Sequence, residues 1–148
     1  MHAQIPPSDL TQTLAADIRA IYAQLKRCLR DQSNAGDVSP SQTEVLLQLE
    51  RDGPASVSEL SRAAGVRSQS MGATIAELQA AGYVSGAPDP ADGRRTILSL
   101  TEACRDWLAA GRAARSDWLA RRIAEKLTPD EQGELETALR LLRRLVDT

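Results

Sequence analysis

Two groups of side chains in the middle of the chain have the types and spacing needed to contact a nucleic acid. The first is a set of small, hydroxyl and amide side chains that one face of a predicted helix presents together: Ser68, Gln69, Ser70, Ala73 and Thr74. In a DNA major groove, an amide such as that of Gln69 can bond adenine through two atoms, and hydroxyls can reach bases or phosphates. The alternative interpretation is an ordinary solvent-facing helix surface.

The second group lies on a turn-rich stretch, residues 87–95, which contains two prolines, two aspartates and a glycine. Asp92, Arg94 and Arg95 are predicted to stand at the tip of a hairpin there. An arginine that enters a narrow minor groove meets enhanced negative potential, and Asp92 could hold the guanidinium of Arg94 in place. The alternative is a surface ion pair, which contributes about 0–1 kcal/mol.

Two predicted helices position the first group. Ser56–Glu59 has the pattern of a capping box and begins a short helix, which Gly65 is placed to end. The next helix begins near Arg67 or Ser68 and ends at Gly82. The apolar positions that these helices are predicted to bury recur at helical spacing and are Val57, Leu60, Ala64, Met71, Ile75 and Leu78.

A β-hairpin is predicted to follow the second of these helices. Tyr83–Gly86 and Thr96–Leu100 are short strand candidates on either side of the turn-rich stretch. A hairpin that directly follows a helix-turn-helix is called a wing. The order of elements therefore predicts a winged helix-turn-helix DNA-binding part over residues 39–100, within a single domain that spans residues 1–148.

Further helices flank this central unit. The first has an apolar residue every three or four positions from Leu10 to Leu29, and a loop over Gln32–Asp37 is predicted after it. Ser39–Gln42 is a capping box with proline at the first helical position, so a second helix begins there. Thr101 can cap a long fifth helix, and Thr128–Glu131 is a third capping box before the last helix.

The terminal helices are apolar over wider arcs than one small winged unit can cover. A second copy of the chain would cover these faces, so residues 8–32 and 101–148 are predicted to form the dimerisation part of a homodimer. The alternative is an intramolecular three-helix bundle. Cys28 extends the apolar face of the first helix and is predicted to be a buried structural cysteine. The predicted fold is mainly α, a winged helix-turn-helix domain with long N- and C-terminal dimerisation helices.

The composition argues against several other classes of function. His2 is the single histidine, so a Ser–His–Asp triad or a histidine metal site is hardly possible. We therefore expect no enzyme activity, no metal and no cofactor. No apolar run approaches the ~20 residues of a membrane span, and Met1–Asp9 lacks the apolar segment of a secretion signal. Together with two widely separated cysteines, which are typical of a reducing compartment, these features predict a cytoplasmic protein without membrane contact.

The charge distribution and one cysteine leave two alternatives open. The formal net charge of −2 does not by itself favour a nucleic-acid binder, although sixteen of the eighteen basic residues are arginine, the better ligand of phosphates and base edges. One alternative is a winged-helix module that interacts with other proteins. The other is a redox-responsive regulator that acts through Cys104, since a helix N-terminus there would lower the pKa of the thiol.

Motifs along nearly the whole chain resemble the multiple-antibiotic-resistance regulator (MarR) family of bacterial winged-helix repressors. The matching stretches are SPSQTEVLLQL, VSELSRAAGV, LQAAGYV and DPADGRRTILSLTEA. The most specific part is the D-x-R wing, Asp92 to Arg94, followed by a strand and LTE. The resemblance implies a homodimeric, ligand-responsive repressor whose recognition helices enter successive major grooves of a pseudo-palindromic operator, with Arg94 in the minor groove.

The resemblance also implies that a small aromatic or phenolic effector binds between the dimer helices and the winged unit and lowers DNA affinity. Candidate residues for lining such a pocket are Tyr22, Met71, Trp107 and Trp118. The alternative for each of them is core or dimer packing.

The chain departs from the family pattern in the recognition helix. Family members usually carry arginine or lysine on its outer face, whereas residues 68–81 contain neither. Arg67 stands where a capping serine is common, so either Ser68 takes over the cap or Arg67 reaches a phosphate. The first-helix cysteine of peroxide-sensing members is also absent, because Ile18 stands four residues before Tyr22.

Overall fold

The computed structural model describes residues 8–32 and 38–147. In chain order the elements in these ranges are α1 (Asp9–Asp31), α2 (Pro40–Asp52), β1 (Ala55–Ser56), α3 (Val57–Ala64), α4 (Ser68–Ala80), β2 (Val84–Pro88), β3 (Thr96–Leu100), α5 (Glu102–Lys126) and α6 (Pro129–Val146). The predicted mainly α, winged helix-turn-helix fold is therefore confirmed. His2 and, apart from Gln32, the predicted loop 32–37 lie outside the described residues. Across the described ranges, no helix combines the length and the apolar character needed to cross a membrane.

Local capping interactions set where the helices begin. Ser39, Ser56 and Thr128 each form a complete capping box with the residue three positions on, as predicted. The hydroxyl of Thr101 accepts a hydrogen bond from the Cys104 main-chain N–H at 3.1 Å, so the predicted start of α5 is confirmed. Gly65 ends α3 with a φ of 67°, a left-handed conformation that glycine adopts without a Cβ penalty.

Three short antiparallel strands form the sheet, in the order β1-β3-β2. The wing hairpin pairs Val84 with Leu100 at its base and Pro88 with Thr96 near its tip. On the other edge of β3, Ser56 of β1 pairs with Ile97. The pairing places the wing beside the first residues of α3, which follow β1 directly.

An aliphatic core holds the helix-turn-helix and the sheet together. Its fully buried side chains are Leu46, Leu60, Leu78, Leu98 and Cys104. The expectation that Ala64 is buried is wrong, because Ala64 is exposed and Ser61 of the same helix is only 6% exposed. Ser61 tolerates burial because its hydroxyl donates to the Ser58 carbonyl at 3.1 Å.

Internal contacts divide the described chain into two compact units. The winged unit is residues 38–112, and the helical unit is residues 8–32 and 113–147. The division falls inside α5 rather than at its start, because the first turns of α5 carry Cys104 and Leu108 into the core of the winged unit.

Within the helical unit, α1 and α6 contain no buried residue among those described. The expectation that Cys28 is buried is wrong for this chain, since Cys28 is exposed on α1. The described residues of the chain do not cover the apolar face to which it belongs. An open groove of about 370 Å³ in this unit is lined by Ile18, Leu139, Leu142, Arg143, Leu145 and Val146.

Candidate nucleic-acid interface

Helix α4 presents its polar face outward because its opposite face is locked into the core. Met71, Ile75 and Leu78 are at most 3% exposed and repeat at positions i, i+4 and i+7. The predicted contact residues occupy the other side of the helix. Ser68, Gln69, Ser70 and Ala73 are exposed and Thr74 is half-buried.

Two of the predicted contact hydroxyls are already engaged within the protein. Thr74 Oγ1 donates to the main-chain carbonyl of Ser70 at 3.2 Å, and Ser68 Oγ lies 3.3 Å from the hydroxyl of buried Ser61. Within residues 8–32 and 38–147, the side chains of Gln69 and Ser70 have no hydrogen bond to another protein group. Gln69 and Ser70 are therefore the side chains of this face that are most available to a ligand.

The N-cap residue of α4 is Arg67 rather than Ser68. Arg67 is the N-cap residue, with extended backbone and no side-chain hydrogen bond to the first turn. Ser68 is the first helical residue, so it does not take over the cap. Arg67 is exposed, and its side chain leaves the first-turn N–H groups of α4 uncapped. A cationic side chain that precedes an uncapped helix N-terminus is a combination that suits a phosphate oxygen.

Helix α4 is also tied to α2 through a residue that the sequence pattern assigned only to a cap. The Gln42 side chain accepts from the Ser39 N–H at 2.9 Å and donates to Glu77 Oε2 at 2.7 Å. One side chain therefore caps α2 and fixes α4 against it. The sequence gives no local indication of this contact, because Gln42 and Glu77 are 35 residues apart.

The wing tip is an ordered turn built by two aspartates. Asp89 N–H donates to the Arg95 carbonyl at 2.9 Å, and Arg95 N–H donates to the Asp92 carbonyl at 3.0 Å. The Asp89 carboxylate accepts from the Ala91 N–H at 2.9 Å, and the Asp92 carboxylate accepts from the Arg94 N–H at 3.1 Å. Both are Asx-type turns, in which a short carboxylate bonds the main chain two residues on.

The expected ion pair between Asp92 and the Arg94 guanidinium is therefore corrected. The Asp92 carboxylate instead holds the main chain of Arg94, through the hydrogen bond that it accepts from the Arg94 N–H. The Arg94 side chain is exposed and has no hydrogen-bonding or ionic partner in the described part of the chain. It is left free to reach a group outside the protein.

Arg95 is placed differently from its neighbour. Its Nη2 donates to Glu59 Oε1 at 3.0 Å and to Ser56 Oγ at 3.1 Å. Its Nε lies 3.9 Å from Asp89 Oδ2. The pKa of Glu59 is lowered, first by the hydrogen bond from the Ser56 N–H and then by that from Arg95.

Cys104 does not have the environment of a reactive thiol. Its side chain is fully buried in the core, and burial raises its pKa, with the charge of Glu50 acting in the same direction. The expected lowering by the α5 N-terminus is wrong, because loss of hydration outweighs the helix-end effect at this depth. The alternative of a redox response through Cys104 therefore loses its physical basis.

Comparison with known proteins agrees with this geometry. The sequence model of the MarR family matches residues 36–95. An uncharacterised helix-turn-helix-type transcriptional regulator of Mycobacterium bovis is 36% identical over 139 residues, which are 94% of this chain and 96% of the relative. The chain belongs to the MarR family.

Two further comparisons extend over nearly the full length of this MarR-family chain. The crystal structure of a Pseudomonas aeruginosa protein assigned as a transcriptional regulator has a TM-score of 0.81 and 34% identity, and the match covers 96% of this chain and 99% of that one. The transcriptional repressor NicR of Pseudomonas putida is 29% identical over 143 residues, 96% of this chain and 87% of NicR. The chain is thus a MarR-family transcriptional regulator, as its motifs predicted, and regulators of this family are not enzymes.

The four candidate effector-pocket residues of this MarR-family regulator fall into both units. In the winged unit, Met71 is a core residue, and half-buried Trp107 packs on Tyr83 with ring centroids 5.2 Å apart. In the helical unit, Tyr22 is exposed, and Lys26 Nζ lies 6.0 Å from the centre of its ring. Trp118 is half-buried, and the Arg122 guanidinium carbon lies 5.9 Å from the centre of the Trp118 ring. For Met71 the structure matches the alternative of core packing, and none of the four lines the groove on α1 and α6. Their part in an effector pocket stays a prediction.

Proposed function

We propose that this MarR-family regulator is a sequence-specific repressor that binds a pseudo-palindromic DNA operator as a homodimer. One observation carries the proposal: the winged unit combines an exposed polar face on α4 with an Arg94 side chain at the wing tip that has no partner among the described residues. A major groove accommodates one α-helix, whose short polar side chains can bond base edges. A minor groove attracts an arginine at the end of a protruding hairpin.

In the proposed interface, α4 contacts the major groove and the wing contacts the minor groove. On α4 and just before it, the contact residues are Arg67, Ser68, Gln69, Ser70, Ala73 and Thr74, with Gln69 as the base reader. In the wing, Arg94 enters the minor groove and Asp92 shapes the turn that carries it. Because α4 has no basic residue and contains Glu77, Arg67 and the wing must supply most of the attraction to phosphates.

The homodimer is supported by the apolar faces of the helical unit. The side chains left most exposed on α1 and α6 include Leu10, Ile21, Leu141, Leu145 and Val146, each more than half exposed. Contiguous apolar surface of this kind is typical of protein interfaces, and a two-fold dimer covers both copies with the same patch. We also propose that a small aromatic or phenolic effector lowers DNA affinity, and family membership is the only support for this part of the proposal.

Selection of bound fragments from random-sequence duplex DNA tests the proposal. We expect the selected fragments to share two inverted half-sites spaced by about one helical turn. Arg94→Ala should then weaken binding to the selected duplex. Arg51→Ala is the matched control, because it removes the same charge from an exposed α2 side chain paired with Asp52 and should leave affinity unchanged.

The absence of basic residues from α4 favours one second candidate, a winged-helix module that binds another protein. This candidate predicts that no sequence is enriched and that the weak residual DNA binding is the same for Arg94→Ala and Arg51→Ala. Enrichment of a pseudo-palindrome together with loss of binding in Arg94→Ala alone would exclude it.

A further inference from the structure

The two adjacent wing arginines end in opposite environments. Among the described residues, Arg94 has no side-chain partner, whereas Arg95 bonds both residues that frame the capping box of α3. The Arg95 contacts span 36 and 39 residues of sequence. They link the start of β3 to the start of the helix that leads into α4.

We propose that Arg95 is a positioning residue, which anchors the wing to the N-terminal cap of α3 so that Arg94 is held toward the DNA. On this account Arg95 does not itself contact DNA, whereas the sequence pattern predicts that both wing arginines do. The proposal rests on the DNA-binding function proposed above, and it adds a division of roles between the two arginines.

The geometry at Ser56 explains how one side chain can fix the wing. Ser56 is 4% exposed, pairs with Ile97 across the sheet, and accepts the Glu59 N–H through its hydroxyl at 3.2 Å. Arg95 adds a second donor to the same oxygen. A rotation of the hairpin tip about its base would break this contact and the Glu59 contact together.

The local charge also argues against a phosphate contact by Arg95. Its guanidinium lies between the carboxylates of Glu59 and Asp89, at 3.0 and 3.9 Å. Two acids outnumber one base at this point, so a phosphate drawn to Arg95 would be repelled by the net negative charge. Arg94, one residue earlier, has no carboxylate partner in the part of the chain that the structure describes.

The anchor should act locally rather than on the stability of the whole domain. The Arg95 and Glu59 side chains are 46% and 47% exposed, and exposed ion pairs contribute little to global unfolding. Loss of the anchor therefore releases the tip while leaving the core folded. The main-chain hydrogen bond from the Asp89 N–H to the Arg95 carbonyl closes the same tip. Opening of this hydrogen bond exposes the Asp89 amide, so amide exchange at Asp89 measures the release of the tip.

The first arm of the test uses the DNA-free protein. Amide hydrogen exchange at Asp89 should be several-fold faster in Arg95→Ala than in the wild type, while the core amides of Leu46 and Leu60 exchange as before. Arg94→Ala is the matched control and should leave exchange at Asp89 unchanged. Equal rates at Asp89 in Arg95→Ala and the wild type would overturn the anchor.

The second arm measures affinity for the duplex that the wild type selects from a random pool, over a series of salt concentrations. Arg95→Ala should weaken binding by about three- to tenfold, the lower range for coupling within a hydrogen-bond network, with an unchanged log–log salt slope. Arg94→Ala should make the slope shallower by about one unit per protomer. A slope change in Arg95→Ala equal to that in Arg94→Ala would make Arg95 a DNA contact and overturn the proposal.

Glu59→Gln further distinguishes an Arg95 that anchors the wing from an Arg95 that contacts DNA. Glutamine preserves the capping box but weakens the charge-assisted hydrogen bond to Arg95. We expect weaker DNA binding than the wild type, and no further loss when Glu59→Gln is added to Arg95→Ala. Tighter binding by Glu59→Gln would mean that Glu59 competes with DNA for Arg95, which contradicts the proposal. If the wild type selects no duplex, the DNA-binding function fails, while exchange at Asp89 still decides whether Arg95 anchors the wing.

Discussion

Thr101 joins the end of the wing to the start of α5, and its removal tests how the winged unit is held together. Its hydroxyl donates to the Gly82 carbonyl at 2.7 Å and accepts from the Cys104 N–H at 3.1 Å. Its main-chain N–H also donates to the Tyr83 carbonyl at 3.1 Å. Thr101→Val keeps the shape and the main-chain bond but removes both hydroxyl bonds.

The expected loss of stability is the sum of these two bonds. Loss of an N-cap acceptor costs about 1 kcal/mol, and loss of the hydrogen bond to the Gly82 carbonyl costs about 1 kcal/mol more. Thr101→Val should therefore lower the free energy of unfolding by about 2 kcal/mol. Ser39→Ala is the matched control in the same unit, because the Ser39 hydroxyl only caps α2 and its loss should cost about 1 kcal/mol.

Urea unfolding followed by Trp107 fluorescence in a Trp118→Phe background reports on the winged unit. With a denaturant slope of about 2 kcal/mol per molar, Thr101→Val should lower the midpoint by about 1 M at fixed protein concentration. Thr101→Ser retains both bonds and should shift the midpoint by less than about 0.3 M. An equal loss in Thr101→Val and Ser39→Ala, or in Thr101→Ser and Thr101→Val, would refute the reasoning.

Three further predictions concern the buried thiol, the pH dependence and the wing hairpin. In Cys28→Ser, the buried Cys104 thiol should react with a disulfide reagent only on unfolding, and fast reaction of the native variant would contradict this. The folded-state pKa of Glu59 lies below its usual 4.5, so its stabilisation is complete above that pH and is lost as the pH falls through the lowered value. The urea midpoint of the wild type should then fall more than that of Glu59→Gln between about pH 5 and about pH 3, and parallel curves would exclude this contribution. Gly86→Ala should cost about 1–2 kcal/mol in urea unfolding, because a Cβ would lie 2.9 Å from Thr96 Cγ2, whereas Gly93→Ala meets no atom within 4 Å and should be nearly neutral.

The starts of the helices were predictable because their determinants are local. Ser39, Ser56 and Thr128 each show a hydroxyl three residues before a glutamine or glutamate, and each forms the predicted box. The inner face of α4 was predictable for the same reason, since helical spacing alone places Met71 and Ile75 on one side. Such patterns need no knowledge of what the helix packs against.

Features that depend on distant partners were not predictable from the pattern. The contact between Arg95 and Glu59 joins residues far apart in sequence, so the two wing arginines were assigned the same role. Strand β1 was missed because two residues show no alternation. The position of Cys104 at a helix start predicts a lowered thiol pKa, but burial against α2 and the sheet raises that pKa instead.

Exposure of an apolar face was likewise beyond local reasoning. Cys28 has the spacing of a buried position on α1, yet it is exposed because the described chain does not cover that face. Periodicity indicates which side of a helix is apolar, but only tertiary or quaternary contacts decide what covers it. The terminal helices therefore point to a second copy, which the proposed homodimer supplies.

The salt dependence of binding to the selected duplex tests the central claim most directly. A dimer that contacts about 8 phosphates should lose affinity with a log–log slope near −7, and it should bind a scrambled duplex of equal length much more weakly. This result would establish both the electrostatic and the sequence-specific parts of the interface. A slope near zero, or equal affinity for the selected and scrambled duplexes, would contradict sequence-specific DNA binding by the winged unit.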